Sequence, residues 1–191
     1  FTIGLFMLNQ NGTLQLDGQN QPIPTYDQNT VNNFTKVLTG WNFCNTAGAS
    51  CPNAAPGIVN YIDPMVINGG VTTVGNNRHD LTAKTLLTYP GSTATTNIAA
   101  CANCTTLPNI ETYANASLNQ TLDNIFNHQN VGPFVSKPLI QNMVTSDPTP
   151  AYVGRISAVF NNNGSNVRGD LKAVVRAILL DPEARGAPVA L

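Results

Sequence analysis

His128-Gln-Asn-Val-Gly-Pro-Phe-Val-Ser-Lys-Pro-Leu-Ile-Gln-Asn-Met-Val-Thr-Ser-Asp-Pro-Thr-Pro-Ala-Tyr-Val-Gly-Arg155 is the stretch whose reading decides the fold. It holds two helix starts. Pro133 opens a segment carrying Phe134, Val135, Leu139, Ile140, Met143 and Val144, and Pro150 opens another carrying Val153, Ile156, Val159 and Phe160. Proline suits the first turn because its missing N–H is one that a helix leaves unpaired there in any case. Pro138 falls inside the first of these helices and predicts a kink or a shifted start. Working outward, Ser117 begins a helix with Leu118, Leu122, Ile125 and Phe126, and Asp170 begins one with Leu171, Val174, Val175, Ile178 and Leu179. Four amphipathic helices with short joints predict a mainly α protein, a helical bundle.

The first third reads differently. Residues 1–8 read as the end of an apolar helix, stopped by the Asn9–Gly12 cluster. Asn11-Gly12 between Leu8 and Leu14-Gln-Leu16 is a two-residue hairpin signal, which predicts a small β-hairpin near the N-terminus. Val31, Phe34, Val37 and Leu38 share one helical face, closed by Gly40 before Trp41. From about 42 to 115 the chain is long on Gly, Pro, Asn and Thr, a long irregular middle segment. Within it, Asp80 reads as the N-cap of a short helix carrying Thr82, Ala83, Leu86 and Leu87, with Lys84 one turn on. The whole, residues 1–191, suits a single domain.

Composition excludes some functions. Charged residues are 10% of the chain, against about 25% in an ordinary domain. Asn and Thr together make up about a quarter of it, so its surface polarity comes from amides and hydroxyls. A net charge of −1 gives no basic footprint for phosphates, which argues against a nucleic-acid partner. No run approaches the ~18 apolar residues of a transmembrane segment.

Cys44, Cys51, Cys101 and Cys104 form two local pairs. Local disulfides are the simplest reading, each closing a short loop. Two alternatives stand beside it: one zinc held by four thiolates, and a redox pair at Cys101-Ala-Asn-Cys104. Thr105 stands where haem attachment needs histidine, and no cofactor is implied.

The opening segment, together with Phe1-Thr-Ile-Gly-Leu-Phe-Met-Leu-Asn9, Leu38-Thr-Gly-Trp41 and His79-Asp-Leu-Thr-Ala-Lys-Thr-Leu-Leu87, resembles in order and rough spacing a bacterial family known as domain of unknown function 1800. The resemblance spans nearly the whole chain. It implies a mostly helical, secreted or periplasmic protein of the cell envelope, of no agreed activity. Family members are longer at the N-terminal side, so the chain reads as the C-terminal portion of such a protein.

Only two histidines are present, which narrows the catalytic schemes. His79, Asp80 and Lys84 are the catalytic candidates, because an imidazole titrating near neutrality has a carboxylate beside it and an ammonium one turn on. Their structural alternative is a capped helix entry. His128, at a helix end, reads as a cation favoured by the helix dipole. Trp41 is a candidate for carbohydrate stacking, or else a seam residue with its N–H on a local carbonyl. Arg155 is a candidate anion binder, or else a solvated or paired arginine with Asp147 or Asp170 as partner. No nucleophile elbow, phosphate loop, dinucleotide fingerprint or zinc-protease helix occurs. Whether the chain is an enzyme stays open. The leading expectation is an envelope or extracellular binding or assembly module with a protein or glycan partner, and the alternative is a hydrolase-like enzyme using His79 and Asp80 with residues upstream of Phe1.

Overall fold

The computed structural model describes residues 3–45, 51–67, 79–92 and 96–186. Among them the elements run α1 (Gln28–Val37), β1 (Trp41–Asn42), β2 (Val66–Ile67), β3 (Lys84–Thr85), β4 (Asn97–Ile98), α2 (Leu107–Phe126), α3 (Val131–Met143), α4 (Pro150–Asn161), α5 (Leu171–Leu180) and α6 (Pro182–Arg185). The protein is mainly α, as the helical spacing predicts. The chain divides into two compact units, one of Phe1–Asp27 with Ile125–Leu191 and one of Gln28–Asn124.

In the first unit, α3 packs on α4, and α5 packs on both. Val131, Ile140, Tyr152, Val153, Ile156, Phe160, Val174 and Ile178 form the buried core. Each such side chain contributes roughly 1.5–3 kcal/mol by leaving water. Pro150 and Asp170 start their helices as read from the sequence; Thr149, which that reading did not single out, accepts the Tyr152 N–H ahead of Pro150, and Asp170 accepts the Ala173 N–H. The helix expected from Pro133 starts two residues earlier, at Val131, and takes Pro138 into its interior.

Two expectations for this unit are overturned. The described residues before Asn9 are not helical. Met7, Gln15 and Ile23 pass one backbone hydrogen bond each around a closed ring, Gln15 N–H to Met7 O, Ile23 N–H to Gln15 O and Met7 N–H to Ile23 O. Isolated bridges Phe6↔Pro24, Leu8↔Leu14 and Leu16↔Pro22 mark its three sides. A ring leaves no open edge, which is how so short a set of extended segments holds together. The hairpin is present, but with a three-residue loop in place of two, because Asn9 N–H bonds Thr13 O at 2.8 Å and the left-handed residue is Gly12, at φ +77°.

His128 is also not the expected helix-end cation. It is buried, its Nδ1 accepts the Asn130 N–H at 3.1 Å, and burial followed by the nearby Arg168 pushes its pKa down from 6.5 to about 4. The unfolded chain therefore binds more protons than the folded one between those two values. Stability is full above pH 6.5 and falls as the pH drops towards 4, by about 3 kcal/mol in all. Urea titrations across this range should show the slope, and His128→Gln should flatten it.

In the second unit β1 pairs antiparallel with β2 and β3 with β4, with Trp41 opposite Ile67 and Lys84 opposite Ile98. α1 packs on β3. A small core of Ile67, Cys104, Ile110 and Ala114 gathers Trp41, Leu81, Cys101 and Tyr113 around it. Both local cysteine pairs are disulfides, Cys44–Cys51 and Cys101–Cys104, with Cα atoms 5.4 and 5.7 Å apart. The reading of one zinc held by four thiolates loses its ligands with that pairing. α2 starts at Leu107, ten residues before Ser117, since Thr106 and Pro108 supply the start and Ile110 N–H bonds Thr106 O.

Candidate functional site

The residues singled out at 79–84 do come together, though on no helix. Asp80 Oδ1 accepts both the Thr82 N–H at 2.8 Å and the Thr82 hydroxyl at 2.6 Å, a local turn that competes with helix. The Lys84 ammonium then donates to the carbonyls of Asp80 at 2.6 Å and Thr82 at 2.9 Å. In a helix the Asp80 carbonyl would accept the Lys84 backbone N–H, so the side chain has taken the place of the main chain. Lys84 goes on into β3, and the expected short helix from Asp80 is overturned.

Lys84 is 2% exposed. Its ammonium also meets the Tyr113 hydroxyl at 3.1 Å, lies 4.9 Å from the Tyr113 ring centroid, and pairs loosely with Asp80 Oδ1 at 3.6 Å. Tyr113 comes from α2, and its hydroxyl donates to Ala99 O at 2.9 Å with Thr82 O at 3.2 Å. Replacing Lys84 by Met should destabilise the protein by about 2–3 kcal/mol, because two carbonyls lose a charged donor in a buried place. Chemical denaturation measures it, and a loss under about 1 kcal/mol would mean water serves those carbonyls equally well.

His79 is 3% exposed. Its Nδ1 lies 2.8 Å from Thr39 O, just past the end of α1, and takes the proton there, while Nε2 has no hydrogen-bond partner. The ring meets Tyr113 edge-on at 5.8 Å. Burial, and then Lys84, depress its pKa against the Thr39 bond and Asp80, so the neutral ring is favoured. Asp80 moves the other way on balance. Burial raises its pKa, but the Thr82 hydroxyl and N–H together with Lys84 and Lys36 hold it below the ordinary carboxylate value. What results is a neutral imidazole, a carboxylate and an ammonium around one tyrosine, tied to the end of α1 by the Asp80 N–H to Thr39 hydroxyl bond at 2.8 Å.

The two binding candidates lie elsewhere. Trp41 is half-buried, and its indole N–H donates to Val37 O at 3.2 Å, as its seam reading expects. Arg155 pairs with neither Asp147 nor Asp170. Its Nε and Nη2 bind Asp181 Oδ2 and Oδ1 at 2.7 and 2.8 Å, with Glu183 at 3.7 Å. The fork fits because α4 and α5 pack together, which brings the residue after the end of α5 beside Arg155. Arg155 holds Asp181 below the ordinary carboxylate range.

Tyr113, the hub of the first cluster, is missed by a reading that starts its helix at Ser117. Pro108 was the available signal. Also missed is an apolar display on the loop after β1. Ile58, Tyr61 and Ile62 are 67%, 77% and 78% exposed, as are, to a lesser degree, Val59 and Met65 near them in sequence and Phe43. This loop is held from within. Cys44–Cys51 closes it, Asn60 donates to Cys44 O at 2.8 Å and to Asp63 Oδ2 at 2.7 Å, and Asp63 accepts from Asn53 at 2.7 Å. Phe43 and Tyr61 meet edge to face at 5.2 Å.

Over residues 1–190 the sequence matches the family described as Protein of unknown function (DUF1800). The chain belongs to that family. No curated protein and no solved structure matches it. For this DUF1800 chain, then, chemistry has to be argued from its own residues. Among the described residues no cluster of His, Cys, Asp and Glu is placed to hold a metal, and no helix is long and apolar enough to cross a membrane.

Proposed function

We propose that this DUF1800 chain is an exported binding or assembly module that engages a protein of the bacterial cell envelope through the exposed side chains of Phe43 and residues 58–65. The observation carrying this reading is the exposure of Ile58, Tyr61 and Ile62 on a loop that a disulfide and the Asn60–Asp63 bonds hold in place. Several large apolar side chains left exposed on one loop mark an interaction site, and cross-linked residues lose less entropy on binding. The only charge there, Asp63, is engaged by Asn53 and Asn60. Aliphatic side chains beside the tyrosine favour a protein surface over a glycan for this loop. Two disulfides favour an oxidising compartment outside the cytoplasm.

The test is retention from native envelope extracts. Wild-type protein should hold a specific partner that Tyr61→Glu/Ile62→Glu loses while its circular dichroism and disulfide content stay unchanged. Equal retention by both proteins would overturn the reading. A hydrolase using His79 and Asp80 has less support, because the Thr39 carbonyl and Thr82 already occupy the groups it needs and neither residue lines the cleft described next.

A further inference from the structure

We infer that the cleft between residues 98–103 and α2 is a binding site for a neutral saccharide. Its volume is about 400 Å³, within the range of small-molecule sites. Among the described residues, no Asp, Glu, Lys, Arg or His lines it. A charged ligand would give up hydration there and meet no opposite charge.

Its walls are of two kinds. Ala99, Ala100, Ala102 and Ala116 offer small, flat apolar surface, suited to the C–H faces of a sugar ring. Asn103, Asn109, Thr112 and Gln120 offer mainly acceptor oxygens, since Asn109, Thr112 and Gln120 donate to the carbonyls of Asn103, Pro108 and Asn97, and such a lining suits ligand hydroxyls better than a purely apolar ligand. Ser117, which also lines the cleft, is 1% exposed, and its Oγ has no hydrogen-bond partner among the described residues. A buried hydroxyl left unpaired costs roughly 1–3 kcal/mol, so a ligand hydroxyl reaching it would recover that loss.

The cleft is ordered before any ligand arrives. Cys101–Cys104 pins one lip, Asn109 Nδ2 donates to Asn103 O at 2.8 Å, and Tyr113 Oη is fixed on Ala99 O. An extended peptide is the competing occupant, since β4 runs along this side at Asn97–Ile98. It is disfavoured because the carbonyls of Asn97 and Ala99 already accept from Gln120 at 3.0 Å and from Tyr113 at 2.9 Å, which takes the ladder an added strand would use. The cleft shares no lining residue with the exposed apolar residues 43 and 58–65, so either reading can fail without the other.

The experiment is a titration of ¹⁵N-labelled protein with N,N′-diacetylchitobiose, cellobiose and maltose in turn, and with a capped tri-alanine peptide. At least one disaccharide should give saturable shifts confined to the amides of residues 98–103 and 109–120, with affinity on the order of millimolar or tighter. Ala116→Trp, at an exposed helical position, should fill the cleft and weaken binding at least tenfold with the remaining spectrum unchanged. Ser117→Ala should weaken it several-fold. Absence of saturable shifts with all three sugars, binding that Ala116→Trp leaves intact, or binding of the peptide in their place would each overturn the inference.

Discussion

Asn130→Leu is expected to lower the stability of the protein by about 3–5 kcal/mol, the largest effect of any single polar side chain here. Asn130 is 0% exposed and serves the closed N-terminal ring of extended segments from the start of α3. Its Oδ1 accepts the Leu8 N–H at 2.8 Å. Its Nδ2 donates towards Ile3 O at 3.1 Å, Phe6 O at 2.9 Å and the Thr25 hydroxyl at 3.2 Å. Leucine has a similar volume and none of these bonds, so several backbone groups are left unpaired in a place with little water, at roughly 1 kcal/mol or more each. Equilibrium urea unfolding measures the change. Asn130→Asp gives the second arm: it keeps the acceptor for Leu8 but turns oxygen against three oxygens, so it should be at least as damaging at neutral pH and partly relieved on acidification. A loss below about 1 kcal/mol for the leucine variant would show that the ring holds itself.

Gly169→Ala should cost about 2–4 kcal/mol, for two separable reasons. Gly169 sits at φ +75°, where any side chain is strained by roughly 1–2 kcal/mol. A Cβ there would also lie 2.6 Å from Cζ and 2.9 Å from Cε2 of Phe126. That ring cannot retreat freely. It packs on Phe160 at 6.2 Å and lies under the Arg168 guanidinium, which also binds Phe126 O, His128 O and the Asn161 amide oxygen. Overpacking of such a place adds about 1–3 kcal/mol. Gly164→Ala separates the two contributions, because Gly164 has φ +92° with nothing within 4 Å of an added Cβ. Thermal unfolding should place Gly164→Ala near the strain cost alone and Gly169→Ala well beyond it. Equal shifts would mean that Phe126 moves aside at no cost.

The candidate site shows where sequence reading fails. His79, Asp80 and Lys84 were legible as a group, since they are neighbours in the chain. Their conformation was not, because the decision against helix is made by the Lys84 ammonium on two carbonyls and by Tyr113, which is 29 residues away. Residues 1–8 misled for a similar reason. An apolar run carries no mark of its pairing partners, and here the partners are Gln15 and Ile23.

α4 and α5 could be read directly, because Pro150, Asp170 and a 3.6-residue apolar stripe are all local signals that act within one or two turns. The two disulfides were legible as well, their partners being 7 and 3 positions apart. The sequence by itself thus determined the helical class, the caps and the covalent pairs. Only the tertiary structure decided where the buried amide of Asn130 acts, why Lys84 lies in a strand, and which alanines wall a cleft. These depend on groups brought together from distant parts of the chain, and a side chain that hydrogen-bonds a remote backbone leaves no periodic trace in its own neighbourhood.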